Sequence, residues 1–253
     1  MSEFNKHMQG AKEGKLESMF HLGNMYLNGR GINQNYDEAF RWFKKSAEGG
    51  LVESIFNLGT MYENGRGVTI SLPEAFRLYK IAANKGLVHA EYNVGKMYYD
   101  GIGVEQNYSQ GFIWTKKAAE KKYAKGMFNL GLFYEHGHGV EKSEVQALIW
   151  YERSAEADNL GAQFNVGTMY GLGRGTALNY DKAIYWLEKA AHRGHESAKK
   201  NLGIFKERRA AASSSNNNSL SKRSRPELTN CLGCKASVIG VNESHCPYCR
   251  AGI

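Results

Sequence analysis

A Leu-Gly or Val-Gly pair recurs every 36 residues through most of this chain: Leu22-Gly23, Leu58-Gly59, Val94-Gly95, Leu130-Gly131, Val166-Gly167 and Leu202-Gly203, with no insertion or deletion between copies. Self-similarity at a fixed period of 20–50 residues marks stacked supersecondary units, none of which buries its apolar face alone. The sequence is therefore best read in columns, one position across all copies.

Two aromatic columns flank the glycine pair. Phe20, Phe56, Tyr92, Phe128 and Phe164 precede it, and Tyr26, Tyr62, Tyr98, Tyr134 and Tyr170 follow it. With Met25, Met61, Met97, Phe133 and Met169 they make one broad apolar helical face, which predicts a first helix, A, over about residues 16–28 of the first copy. Each helix A runs into G-x-G: Gly29/Gly31, Gly65/Gly67, Gly101/Gly103, Gly137/Gly139 and Gly173/Gly175. Glycine just past a helix takes the left-handed conformation without a Cβ clash, so these pairs read as stops and turns. A dinucleotide cradle needs G-x-G-x-x-G after a strand and before a helix, and these pairs have neither the setting nor the third glycine.

A column of capping residues follows: Asn35, Ser71, Asn107, Ser143 and Asn179. Three positions on stand Glu38, Glu74, Gln110, Gln146 and Lys182, so four copies carry the capping-box pattern that opens a second helix, B. All four tryptophans, Trp42, Trp114, Trp150 and Trp186, share one position of helix B, where Leu78 stands in the second copy. Large aromatics at fixed register are expected to pack between helices. Glycine inside a helix costs roughly 1 kcal/mol against alanine, so the repeated helix A glycine needs a packing reason. Together with small residues at Ser18, Ser54, Ala90, Gly126 and Ala162, it is expected to let helix B approach helix A at near-backbone contact.

These columns, A-x-x-x-LG-x-x-Y-x-x-G-x-G followed by a-x-x-W-x-x-x-A-A, resemble the Sel1-like repeat, a relative of the tetratricopeptide repeat. Ala162 to Gly175 matches the signature most fully. The resemblance spans about residues 3–205. It implies an all-α fold, a right-handed α-α superhelix, and a scaffold role in assembling complexes. Departures fall at Leu78, at Gly111 in place of alanine, and at Lys121-Lys122 and Asp158, where other copies end in glycine. The expected organisation is an N-terminal capping half repeat (1–14), the solenoid (15–205), a disordered polar and basic linker (206–229) and a small terminal module (230–253).

That module holds every cysteine of the chain, as Cys231-x-x-Cys234 and Cys246-x-x-Cys249 separated by eleven residues. Two C-x-x-C pairs supply four thiolates from two tight turns, the donor set of a structural, tetrahedral Zn²⁺. The expectation is a short zinc-ribbon-like hairpin, with 237–241 as a strand, whose folding and metal binding are one event. Two disulfides are the alternative. His245 adjoins Cys246 and reads as a bystander, and the ligands are too few for a two-zinc RING finger.

Composition narrows the function classes. From Lys206 onward there are eight Lys/Arg and three Asp/Glu, a net +5 of the total +8, so the basic bias is local rather than that of a nucleic-acid-binding body. No signal peptide and no membrane-length apolar run is visible. Cysteine usage fits a reducing compartment, cytoplasmic or, through the basic run Lys222–Arg225, nuclear. No nucleophile elbow, P-loop, zincin or kinase signature is present, and His136 and His138 read as exposed loop residues. The expected function is thus non-enzymatic: an adaptor binding a protein or peptide partner, with the zinc module recruiting a second one. The candidate partner-binding column is Asn57, Asn93, Asn129 and Asn165, with His21 in the first copy, on helices expected to line the concave face. Bonds between neighbouring repeats are the structural alternative for these amides. The alternative function is nucleic-acid binding through the tail only, or substrate recruitment in a ubiquitin ligase complex.

Overall fold

The structure, a computed structural model, describes residues 2–221, 228–230 and 237–239, with side chains to residue 213. The A helices are α2 (Leu16–Asn28), α4 (Val52–Asn64), α6 (Val88–Asp100), α8 (Ala124–His136) and α10 (Leu160–Leu172). The B helices are α3 (Tyr36–Glu48), α5 (Leu72–Asn84), α7 (Tyr108–Glu120), α9 (Glu144–Glu156) and α11 (Tyr180–His192). Each helix packs on its predecessor and successor in the chain, from α1 (Glu3–Lys12) to α11. Helix α1 stands where a B helix of a preceding copy would, and α12 (Glu196–Ser221) begins where a sixth A helix would. The result is an all-helical solenoid of repeats. The chain divides into two compact units after Leu202.

The turn between A and B is built from backbone. Arg30, Arg66, Ile102, His138 and Arg174 each donate their N–H to the carbonyl five residues back, closing a Schellman turn around the first glycine. The second glycine does more than turn. A Cβ on Gly67, Gly103, Gly139 or Gly175 would lie 2.3–2.5 Å from backbone atoms of Tyr36, Leu72, Tyr108 or Glu144, the first residue of the preceding repeat's B helix. Repeats are therefore docked turn to helix start, backbone against backbone, and only glycine permits it.

The capping column behaves as half a capping box. Asn35, Asn107, Ser143 and Asn179 accept from the N–H three residues on, at 2.9–3.2 Å. Ser71 has no such side-chain bond, and Pro73 stands in the first turn of its helix. The reciprocal bond is replaced in every copy. The N–H of each capping residue goes instead to the carbonyl of Tyr26, Tyr62, Tyr98, Tyr134 or Tyr170, at 2.8–3.0 Å, and so latches each B helix to its own A helix. Glu38 and Glu74, released from capping, pair with Arg41 and Arg77.

The helical glycine is where the hairpin closes, as expected. A Cβ on Gly23, Gly59, Gly131 or Gly167 would stand 2.5–2.8 Å from the side chain of Phe43, Tyr79, Tyr151 or Leu187. Those B-helix residues, with Thr115 in the third copy, are at most 1% exposed and form the true core column. Of the tryptophans, one position earlier, Trp114 joins the core and Trp150 packs against it as expected, while Trp42 and Trp186 are also only partly buried. All four lie under a cation three residues on, Lys45, Lys117, Arg153 or Lys189, at 4.1–4.9 Å from the ring centroid. A half-exposed indole gains from such a cation, so the Trp column is a rim with one face covered by charge.

Lys122 and Asp158 adopt left-handed backbone (φ +61° and +63°) where Gly50, Gly86 and Gly194 stand in the other copies. In the tail, α12 continues to Ser221, into the first part of the 206–229 stretch. Lys206 to Ala212 is rich in strong helix formers, and a helix already nucleated at Glu196 propagates through them at one hydrogen bond per residue fixed. Beyond it, β1 (Leu228–Asn230) and β2 (Ser237–Ile239) pair antiparallel with Leu228 opposite Ile239. Cys231, Cys234, Cys246 and Cys249, with the zinc module read on them, lie outside the described residues.

Candidate partner-binding face

Asn57, Asn93, Asn129 and Asn165 stand at equivalent places on α4, α6, α8 and α10, all half-buried. Each is one residue before the apolar-glycine pair, which sets it on the flank of the A helix toward the B helix of the preceding repeat. Two of them meet a tyrosine there. Asn93 stands near the Tyr79 hydroxyl and Asn165 near that of Tyr151, each a minor influence that favours the ionised phenol. Those hydroxyls donate in turn to Glu63 (2.6 Å) and Glu135 (2.5 Å). Burial first, and the neighbouring carboxylate second, push both phenols well above the usual tyrosine range. Asn93 and Asn165 thus stand beside a buried tyrosine of the preceding repeat.

Asn129 differs. Its B-helix counterpart is Thr115, with no phenol to meet, and its side chain lines a cavity of about 230 Å³ shared with Tyr92, Lys96, Tyr99 and Phe133. In the first copy the column holds His21, whose ring lies 4.6 Å from that of His7. Burial, and next the charge of His21, hold the His7 imidazole below its ordinary value. The column also reaches one copy further than the four positions predicted. Asn201 continues it and donates to Thr168 Oγ1 at 3.2 Å. The signal was in plain view, since Asn201 precedes Leu202-Gly203 just as the others precede their pairs.

The variable residue of G-x-G proves to be a tie between repeats. His138, expected to be an exposed loop residue, is half-buried, stacked on Tyr108 at 4.4 Å, with Nδ1 3.0 Å from the Tyr99 hydroxyl. Arg66 lies over Tyr36, and Arg174 bonds Glu144 and Glu135. In these three copies the position makes a contact to the preceding repeat, while residue type sets its chemistry. His136 stays exposed.

Among the described residues no group of three or more His, Cys, Asp or Glu is placed to hold a metal ion. Also among them, no helix is long and apolar enough to cross a membrane. What the A-helix face offers is aromatic rings, amides and a cavity, the surfaces that recognition uses.

A family model described as Sel1 repeat matches residues 16–51, 52–87, 88–123, 124–159 and 161–195. Comparison with solved structures finds a protective antigen present in uropathogenic Escherichia coli strains and displaying an SLR fold. It is 31% identical with a TM-score of 0.79, over 81% of this chain and 44% of that one, so this chain spans less than half of its length. A Sel1 repeat protein from Oxalobacter formigenes is 35% identical, with a TM-score of 0.70, over 75% of this chain and 77% of its own. A comparison with curated proteins gave no match.

Proposed function

The chain belongs to the Sel1 repeat family, whose members are generally protein–protein interaction scaffolds, and on that premise we propose that it is a non-enzymatic adaptor docking a partner protein or peptide along its A helices. The observation that carries this reading is the ladder of half-buried Asn57, Asn93, Asn129 and Asn165 at one repeat step, amid half-buried aromatics. Amides at a fixed step can each donate to, and accept from, the backbone of an extended peptide. Around them Glu53, His89, Lys125 and Lys96 change from copy to copy, which gives such a peptide a sequence preference.

Displayed-peptide selection on the full chain tests it. Asn57→Ala and Asn129→Ala are expected to weaken selected peptides roughly 3- to 10-fold each, the worth of one hydrogen bond of about 0.5–1.5 kcal/mol. Peptides that bind both variants as tightly as the native chain would remove the ladder from the interface. Asn93 and Asn165 are poorer probes, because they also stand beside the buried Tyr79 and Tyr151 hydroxyls.

The four cysteines are proposed to hold one structural zinc and to give the adaptor its second docking module. Their donor chemistry fits: two C-x-x-C pairs provide four thiolates, the softer set that zinc favours when no coordination position is left open. The metal would supply folding energy to a segment too short for a core of its own. Elemental analysis should find one zinc per chain, lost in Cys231→Ser/Cys234→Ser. Four titratable thiols in a metal-free chain, or two disulfides, would overturn the assignment.

A further inference from the structure

The third repeat departs from its neighbours at one buried position, and the departure leaves a shaped space. In the second and fourth repeats the core B-helix residue is a tyrosine with four fixed surroundings. Its ring lies on the helical glycine, Gly59 or Gly131, and against Phe56 or Phe128, at 5.3 and 5.6 Å. Its hydroxyl meets a glutamate and the next repeat's asparagine. In the third repeat that residue is Thr115. Its Oγ1 takes up the place over Gly95, 2.5 Å from where a Cβ would be, and no ring follows.

The surroundings nevertheless remain. The cavity of about 230 Å³ beside Thr115 is walled by Gly95, by Tyr92 in the place of Phe56 and Phe128, and by Asn129 in the place of Asn93 and Asn165. A cavity of about 150 Å³ suffices to take up benzene, so this one has room for a phenol. Tyr99, at the Glu63 and Glu135 position, does not fill it from the side. Its hydroxyl is held by His138 and its ring by Tyr108 and Phe133, which keeps that wall back. Exposed Lys96 and Asp100, paired at 3.1 Å, form the rim. A carboxylate thus stays nearby, where the flanking repeats use Glu63 and Glu135. The Thr115 side chain is fully buried, and its Oγ1 has no hydrogen-bond partner among the described residues. An orphaned buried hydroxyl is unusual in a folded chain and marks the place as one the chain has not filled.

We propose that this cavity is an anchoring site for a tyrosine side chain of the docked partner, the incoming phenol taking the place that Tyr79 and Tyr151 hold from within. This deepens the adaptor reading above and rests on it for the peptide, though not for the phenol. Ring burial against Tyr92 and beside Thr115 would supply affinity, and Asn129 would select tyrosine over phenylalanine.

The test uses the full chain, with p-cresol as the tyrosine side chain and toluene as its counterpart without the hydroxyl, followed by NMR titration. Saturable shifts with p-cresol, at least tenfold weaker with toluene, are expected. Thr115→Tyr, which fills the cavity from inside, should abolish them. The double variant Thr115→Tyr/Tyr99→Glu recreates the pair found in the flanking repeats and is expected to stay folded with the same loss of binding. No saturation with p-cresol, or shifts that survive in both variants, would overturn the proposal.

Peptides selected on the native chain should carry a tyrosine at one fixed position and bind Thr115→Tyr at least tenfold more weakly. Peptides without it that bind both chains equally would sink the anchor and leave the adaptor reading standing. Failure to select any peptide would remove the adaptor reading, and the p-cresol result would then decide the cavity alone.

Discussion

One substitution, glycine to alanine at the same repeat position, is expected to change stability in opposite directions at two copies. In Gly131→Ala the new Cβ would lie 2.5 Å from Tyr151 Cε1 and 2.6 Å from Cδ1. Ordinary carbon contacts are about 3.5–4.0 Å, so the ring must retreat by roughly 1 Å. It has little freedom to do so, being fully buried and tethered through its hydroxyl to Glu135. Overpacking of this kind costs about 1–3 kcal/mol, and breaking the buried hydroxyl bond about 1–3 more. Against that stands a gain of about 1 kcal/mol in helix propensity. The net loss should be about 3 kcal/mol, or roughly 6–12 °C in melting temperature for a chain of this size.

At Gly203, the same position two copies on, a Cβ meets no atom of the described residues within 4 Å. Gly203→Ala should therefore collect only the propensity term and stabilise by up to about 1 kcal/mol. Urea unfolding followed by circular dichroism at 222 nm reads both. Equal stabilisation of the two variants would refute the claim that the glycine exists to seat the B-helix ring.

The second glycine of the turn makes a similar contrast. Gly139→Ala combines a left-handed alanine, about 1–2 kcal/mol, with a Cβ 2.5 Å from the backbone of Tyr108, whereas Gly137→Ala meets chiefly the flexible Lys142 side chain. Both alanines are left-handed, and at Gly137 the Cβ stays 3.1 Å or more from Lys142, so the urea midpoint should fall clearly further for Gly139→Ala; equal shifts would contradict backbone docking between repeats. Lys122→Gly should relieve a left-handed lysine and stabilise by roughly 0.5–1 kcal/mol after the entropy cost of glycine, read as a rise of a few degrees in thermal melts. Tyr79 and Tyr151 favour the neutral phenol when folded. Their contribution should be complete below the unfolded value near 10 and be lost as pH rises above it. Absorbance at 295 nm should then show two tyrosines ionising only with alkaline unfolding; their ionising near pH 10 in the folded chain would contradict the buried Tyr–Glu pairs.

Much of this architecture is legible from spacing alone, because a repeat prints the same physics several times. Gly23 and its copies announced a close helix approach, and Gly29 with Gly31 a stop. What spacing hides is the partner across the contact. The core column of Phe43, Tyr79, Thr115, Tyr151 and Leu187 escaped notice because its residues share burial rather than chemistry, while the tryptophans beside it drew the eye by their constancy. The latch from Asn35 N–H to the Tyr26 carbonyl could not be read either, since a backbone acceptor leaves no mark on residue type. The difference between Asn129 and its counterparts Asn93 and Asn165 became visible only once Thr115 was placed opposite it.

The most direct measurement of the central claim is hydrogen–deuterium exchange on the full chain with and without a saturating selected peptide. The account predicts slowed exchange in the A helices around Asn57, Asn93, Asn129 and Asn165, with the largest change at the third and fourth repeats. Slowing confined to the B helices and the tryptophan rim, with α4 to α10 on the A side unchanged, would contradict it.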